Sequence, residues 1–229
     1  HRWLYTHIDM MHAVTYKVKE QLEKFIPEDV RPHIEMVYLC TEASEIDNSV
    51  VEDLKNKYKS NEEFIIGIVG RIEEGKGQYK VIEAISILKD LNIKALVVGS
   101  AMQESYLNEL EQKVKDLDLE EKVIFTGFTK NVNEYMQIFD VNILATQNET
   151  FGLVVIEAMV NKVPMIATNF GGPLEIIEDG VNGLFFDGSF RDVAKKIELL
   201  YLDKKLKKDI TTVAYKKVQE NFDKNTQLE

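Results

Sequence analysis

A doubly wound α/β domain on a parallel sheet, with a short piece ahead of it and a helix closing the chain, is the fold class this sequence predicts. Three observations carry that expectation. From residue 64 onward, short apolar runs alternate with segments of helical spacing, which predicts right-handed crossovers and a parallel sheet covered on both faces. Several of the apolar runs end directly in a glycine-containing turn, as strand ends beside a ligand or a sharp reversal require. The chain has 229 residues, 45% of them hydrophobic, enough to cover such a sheet.

Taken in order, Ala13-Val14-Thr15-Tyr16 is predicted as a short strand. Lys17 to Phe25, with Val18, Leu22 and Phe25 at helical spacing, is predicted as a helix ended near Pro27. Ile34 to Cys40 is a second strand candidate. Thr41 to Ser49 is polar and acidic, a linker, followed by a helix from Val50 to Tyr58 and a break at Ser60-Asn61-Glu62-Glu63. The domain boundary is placed in the forties, with residues 1–48 as one piece plus linker and 49–229 as the main domain. There the strands are Phe64 to Val69, Ala95 to Val98, Val123 to Thr126, Val141 to Ala145 and Val163 to Thr168. The helices between them run from Gln78 to Leu91, Gln103 to Leu117, Asn133 to Phe139 and Gly152 to Asn161. Gly183 to Phe186 and Phe190 to Leu202 form a last βα piece, and a helix from about Lys205 to Glu220 closes the chain. There is no internal repeat and no low-complexity tract.

Composition excludes several classes. Cys40 is the one cysteine, so no intrachain disulfide can form, in keeping with a reducing compartment. No apolar run approaches a membrane span and no secretory leader is visible, which makes a cytoplasmic protein the expectation. A net charge of -11 argues against nucleic-acid binding, which relies on clustered cations. The opening His1-Arg2-Trp3, without methionine, reads as a fragment. His1, His7, His12 and His33 form no catalytic pattern, and a surface or packing role is favoured for each. Residues 190–224 hold ten Lys or Arg against six Asp or Glu. Such a basic face suits peripheral contact with an anionic membrane, but the interspersed acids favour a solvated or packed face.

The chemistry concentrates in the strand-to-helix turns. Asn148-Glu149-Thr150-Phe151-Gly152 leads from one strand into the apolar helix holding Leu153, Val154, Val155, Ile156, Glu157, Ala158 and Met159. A helix apolar on most faces is buried, and an unpaired carboxylate at Glu157 then needs a polar partner. Glu149 falls at a strand end, where open parallel sheets bind ligands. Gly70-Arg71-Ile72-Glu73-Glu74-Gly75-Lys76-Gly77 offers glycines, two cations and a helix start, the parts of an anion site. It departs from the ATPase phosphate loop, since Gly77 stands where Ser or Thr would bind magnesium, and it does not spell the dinucleotide fingerprint. A solvated turn in which Arg71 and Lys76 only offset Glu73 and Glu74 is an equal alternative. Gly99-Ser100-Ala101 and Gly127-Phe128-Thr129 are sharper turns. Phe128 is suited to stacking on a base, with ordinary packing favoured. In Phe170-Gly171-Gly172-Pro173, proline at a helix start would leave the amides of Gly171 and Gly172 facing a ligand, or the pair is a flexible loop.

These residues resemble the group 1 (family 4) retaining glycosyltransferases. Glu149 and Glu157, in Glu-Thr-Phe-Gly-Leu-Val-Val-Ile-Glu-Ala-Met, resemble that family's E-x7-E signature, and Gly70-Arg71 with Lys76-Gly77 resembles its G-R-x4-K-G turn. Ala167 through Gly183, with Gly171-Gly172, Glu175-Ile176 and Asp179-Gly180, resembles the segment that follows. The likeness runs from about residue 64 to 186. It implies the C-terminal, Rossmann-like half of a GT-B enzyme, two such domains facing across a cleft, with this half holding the nucleotide-sugar donor. By the resemblance, Arg71 and Lys76 bind the donor diphosphate and stabilise charge as the sugar bond breaks. Glu157 accepts from ribose hydroxyls, and Glu149 contacts the sugar. Gly70 and the backbone of Phe151, Gly152, Leu153 and Val154 meet phosphates and sugar. Gly171 and Gly172 lie beside the sugar, with Phe128 and Thr129 near the base. No cofactor and no metal is implied, and a UDP-sugar is favoured over GDP- or ADP-sugars.

The sequence departs from the family pattern in Tyr38-Leu39-Cys40-Thr41-Glu42, where a glycine is common, and at Asn148, where serine is common. The acceptor domain is expected to be almost wholly absent, residues 1 to about 45 resembling its last strand, helix and strand. The fragment is therefore expected to bind nucleotide and transfer little sugar, since a transfer cleft needs both walls. A nucleotide-binding module without transfer chemistry is the alternative, and a sugar-nucleotide epimerase a weaker third.

Overall fold

A computed structural model describes residues 2–43, 45–60 and 62–224. His1, and Asn61 of the predicted break, lie outside the described residues. A helical turn, α1 (Arg2–Tyr5), precedes a two-stranded parallel pair, β1 (Met10–Ala13) and β2 (His33–Met36), bridged by α2 (Tyr16–Phe25). After α3 (Asn48–Tyr58) the alternation begins: β3 (Phe64–Val69), α4 (Gln78–Ile87), β4 (Ile93–Val98), α5 (Glu104–Asp116), β5 (Val123–Gly127), α6 (Val132–Met136), β6 (Val141–Leu144) and α7 (Leu153–Val160). It continues through β7 (Met165–Thr168), α8 (Pro173–Ile176), β8 (Leu184–Phe186), α9 (Phe190–Leu202) and α10 (Lys204–Asn221). The six strands from β3 onward form one parallel sheet in the order β5-β4-β3-β6-β7-β8. The doubly wound expectation is met.

The alternation of side chains along each strand divides the core in two. Ile66, Ile68, Ala95, Val97 and Ile143 face α4, α5 and α9, with Val81, Ile85, Leu110 and Ile197 opposite them. Ile65, Leu96, Val98, Leu144 and Met165 face the other way, under Leu54, Met136, Val155, Met159 and Val218 of α3, α6, α7 and α10. Each fully buried aliphatic side chain contributes about 1.5–3 kcal/mol, so strands covered on both faces read as unbroken apolar runs.

Several boundaries differ from expectation for local reasons. The predicted strand at Ala13 to Tyr16 ends at Ala13, because the Thr15 side chain accepts from the Val18 amide and caps α2, which opens at Tyr16. The strand expected to reach Cys40 stops at Met36, where its four-residue partner ends; the Val37 amide makes the last bond, to the Ala13 carbonyl at 2.9 Å. β7 starts at Met165 rather than Val163, since Pro164 has no amide to give; its carbonyl still accepts from Asn142 at 2.9 Å.

Two junctions join the ends to the sheet. The Thr41 amide donates to the Phe222 carbonyl at 2.8 Å, and the Tyr38 ring lies 5.3 Å from that of Phe222 and 6.1 Å from that of Phe151. Asp140, ahead of β6, accepts from Lys207 of α10 at 2.8 Å, from Lys59 after α3 at 3.0 Å and from the Ile65 amide at 3.1 Å. Burial pushes its carboxyl up, yet those three donors together hold it below the ordinary value. The basic tail is thus partly committed inward, with Ile210, Ala214 and Val218 buried and Lys207 on Asp140, while Lys205 and Lys216 form exposed pairs with Asp209 and Glu220 along the helix. Among the described residues no helix is long and apolar enough to cross a membrane.

Candidate functional site

The sheet order reverses between β3 and β6, since the chain runs outward from β3 through β4 to β5 and outward from β6 through β7 to β8. A crevice outside the carboxyl ends of the strands at such a switch point is where this architecture takes ligands. The two turns that meet there are 70–77 after β3 and 145–152 after β6. They are bolted together. The Gly75 carbonyl accepts from the Gln147 amide at 2.9 Å and from the Thr146 hydroxyl at 3.3 Å. Gly77 has a φ of 76°, and a Cβ there would lie 2.1 Å from the Ala145 carbonyl oxygen, so only glycine permits the approach. The buried Gln78 side chain donates to the Arg71 carbonyl at 2.8 Å.

Between the turns lies a cavity of about 510 Å³. Gly70, Arg71, Lys76, Glu149, Phe151, Gly152, Leu153, Val154 and Glu157 all line it. The Lys76 ammonium stands 3.5 Å from the Glu149 carboxylate, both side chains less than a third exposed. Arg71 is 59% exposed and pairs with Glu73 at 3.1 Å. An exposed pair of this kind holds by less than about 1 kcal/mol, so the guanidinium is free to turn to a better anion. Gly152, at a φ of 97°, begins α7 with no side-chain cap, which leaves the amides of the first turn and the positive end of the helix facing the cavity. Glu157 lies one turn further in. Its carboxylate has no hydrogen-bonding or ionic partner among the described residues, and burial raises its pKa. The polar partner that its position demands is not supplied by the described residues.

Four expected site residues stand elsewhere. Phe128 is 72% exposed at the end of β5, and the Thr129 hydroxyl accepts from the Asn131 amide at 3.0 Å; neither lines the cavity. Gly171 and Gly172, expected with amides open to a ligand, do not line the cavity and are pressed against the Glu149 turn. The Gly172 amide donates to the Glu149 carbonyl at 3.0 Å. A Cβ on Gly171 would lie 1.9 Å from that carbonyl oxygen, and one on Gly172 would lie 2.3 Å from Phe151 Cα. Their small size lets two turns cross. Conversely, Val14 and Leu39 line the cavity from the N-terminal segment. Nothing in their local sequence marks them, because the cavity gathers residues from three separate parts of the chain, those of the Glu149 turn more than a hundred positions away.

A larger cavity, about 900 Å³, opens beside the Gly75 turn between α4 and α5. It carries Glu74, Glu109 and Asp116 against Lys113, a charge balance unsuited to a phosphate. Chemistry rather than volume picks out the smaller one. Among the described residues no group of three or more His, Cys, Asp or Glu is placed to hold a metal ion.

A six-stranded parallel sheet with this switch-point cavity defines a Rossmann-like half of the GT-B architecture. The family model for glycosyl transferases group 1 matches residues 50–217, and the chain belongs to that family. It is 32% identical over 184 residues to the capsular polysaccharide biosynthesis glycosyltransferase CapM of Staphylococcus aureus, covering 79% of this chain and 48% of the relative. It is likewise 32% identical over 172 residues to the N-acetyl-alpha-D-glucosaminyl L-malate synthase of Bacillus anthracis, covering 74% and 44%. The chain spans about half the length of these relatives. A glycosyltransferase crystal structure from Rickettsia africae superposes with a TM-score of 0.88 at 25% identity, over 99% of this chain and 64% of that one. HepE of Anabaena does so with a TM-score of 0.86 at 24% identity, over 96% and 60%. The C-terminal domain of the group 1 protein LpcC of Francisella tularensis is matched along 100% of its length and 79% of this chain, at 32% identity and a TM-score of 0.68.

Proposed function

We propose that this chain is the donor-binding half of a retaining glycosyltransferase, taking a nucleoside-diphosphate sugar of the UDP type. In the whole enzyme a hexose-type sugar passes to an acceptor held by an N-terminal domain outside this chain. Residues 1–48 are the end of that domain with its linker, and 49–229 the donor domain. The observation that carries the reading is one cavity joining two cations, uncapped helix amides and two carboxylates of different environment. When the bond between sugar and diphosphate breaks, negative charge grows on the leaving phosphate oxygens. Lys76, Arg71 and the first amides of α7 are the groups placed to meet it. Ribose hydroxyls would give the Glu157 carboxylate its missing donors, and Glu149, across from Lys76, would take hydroxyls of the sugar and face the electron-poor carbon.

Three further findings support the reading. HepE has been crystallised with UDP and with UDP-glucose, the donor class proposed. The relatives are about twice the length of the matched region, in line with a second cleft wall elsewhere. The LpcC C-terminal domain has been crystallised by itself, which supports a donor domain that folds alone. Cationic groups and helix amides make a metal ion unnecessary for the diphosphate, so binding should survive chelation. Cys40 is free and exposed, consistent with the cytoplasm as the place of action.

Calorimetry with UDP, GDP, ADP and their sugar conjugates tests the proposal. Saturable binding of a nucleoside diphosphate, retained in EDTA, is expected. Absence of binding to every member of the set overturns it.

A further inference from the structure

Glu175 belongs to none of the roles above, yet its carboxylate is among the most heavily used in the molecule. One oxygen accepts from the Tyr16 amide at 2.9 Å and the other from the Lys17 amide at 3.0 Å. The first also accepts from the Tyr38 hydroxyl at 3.1 Å. Tyr16 and Lys17 are the first two residues of α2, whose opening amides have no partner inside the helix. A carboxylate at that end also meets the positive end of the helix dipole. Glu175 is distant in sequence from all three donors, by 137 to 159 residues. It therefore fastens the N-terminal segment to the turn after β7. Lys17 adds a second tie there, its ammonium 4.1 Å from the centre of the Phe170 ring.

The other end of the same short stretch holds the cavity. Glu175 is in the single-turn helix α8, directly after Gly171 and Gly172, and its amide donates to the Gly172 carbonyl at 2.9 Å. Those glycines are pressed against Glu149 and Phe151 so closely that no Cβ fits between the two turns. A close-packed crossing transmits displacement instead of absorbing it. Tyr38 closes the loop from the opposite side, with its hydroxyl on Glu175 and its ring against Phe151 of the cavity lining. The N-terminal segment thus reaches the Glu149 turn by two routes that meet at Glu175 and Tyr38.

We infer that Glu175 is a positioning residue: through the Gly171-Gly172 crossing it couples the seating of α2, on the acceptor side, to the position of Glu149 in the donor cavity. The inference rests on the donor-site reading above. Coupling between two sites is reciprocal, so a ligand that orders the Glu149 turn must also tighten the hold of Glu175 on α2. In the whole enzyme, the same link would let the placement of the N-terminal side adjust the sugar end of the site.

Hydrogen exchange of the chain with and without UDP, with GDP and ADP alongside, tests the coupling. In the unsubstituted protein, nucleotide is expected to slow exchange at the opening amides of α2 roughly fivefold or more, the lower range of measured couplings. In Glu175→Gln the nucleotide should still bind within about twofold, because Arg71, Lys76 and Glu157 are intact, but the added protection at α2 should vanish. Tyr38→Phe removes one donor and keeps the ring, and should weaken the transmitted protection without abolishing it. It also serves if Glu175→Gln does not fold, in which case undiminished protection in Tyr38→Phe overturns the inference. Nucleotide binding without protection of α2 overturns it, as does protection that survives in Glu175→Gln. Failure of the unsubstituted chain to bind any nucleotide instead removes the donor-site reading beneath it.

Discussion

Glu157 and Lys76 show how the same cavity asks opposite things of two charged residues. Burial alone acts on the Glu157 carboxyl and raises its pKa. A carboxyl whose folded pKa is raised stabilises the fold fully below its unfolded value and loses that contribution as pH rises through the folded value. At neutral pH it is therefore a cost to folding. Glu157→Gln should raise the melting temperature at pH 7 by about 2–4 °C for each kcal/mol relieved. The gain should shrink on acidification and be gone below the ordinary carboxyl pKa, as thermal melts across pH would record. The same substitution should weaken nucleotide binding. Lys76→Ala removes a cation aimed at the proposed diphosphate. A charge-assisted hydrogen bond is worth about 1.5–3 kcal/mol, so calorimetry should find a loss of roughly ten- to a hundredfold in affinity. Unchanged affinity in both variants would detach these residues from nucleotide binding.

At the scale of elements, Asp140 joins the consecutive α3 and β3 to the distant α10. It receives Lys59 beyond α3, the Ile65 amide of β3 and Lys207 of α10. Removing the carboxylate leaves a backbone amide without its partner and two ammonium groups facing each other. Asp140→Ala should cost about 1–3 kcal/mol, measured by denaturant unfolding at neutral pH. Because its folded pKa is lowered, the stabilisation it gives is present above the unfolded value and lost as pH falls through the folded one. The gap between variant and parent should close in acid. Little of this was legible beforehand. Asp140 sits between two helix-and-strand signals with no motif of its own, and its three partners converge only when α10 folds back across the sheet. The elements themselves were legible. β3 and α9 followed from apolar spacing to the residue and most other helix bounds to within one or two, while α4 and α6 end three or four residues early, at Ile87 and Met136. The N-terminal strands were misplaced by a few residues, since a four-residue pair leaves little pattern and the cap at Thr15 decides where α2 starts.

For the whole molecule, the proposed single cleft wall predicts one half of the reaction. The chain should bind a nucleoside diphosphate and release no free nucleotide from its sugar conjugate at a rate above background. A coupled assay for released UDP, run on this chain and on a protein with the N-terminal domain added, checks this. Activity of the chain equal to the longer protein would refute the division of labour. The proposed site also bears on how far a sequence reading reaches. Arg71, Lys76, Glu149 and Glu157 could be picked out because each lies in a turn or in the helix directly after it, where the chemistry is local, and all four line one cavity. Gly171 and Gly172 differ for a non-local reason: the Glu149 carbonyl accepts from the Gly172 amide, and the small size of both glycines lets the Glu149 turn cross them. Glu175 stands out in the sequence only as part of the segment that resembles the family, with no role of its own, because its donors lie more than a hundred residues away.

By itself the sequence determined the parallel α/β order, the two turns that meet at the switch point and the charged groups they carry, since all of these follow from spacing within a few residues. Only the tertiary structure decided which turns touch. It packed the two glycines against Glu149, left the Glu157 carboxylate without a partner among the described residues and tied α2 to Glu175. Those outcomes depend on close packing between segments distant in the chain, and sequence spacing carries no record of that distance.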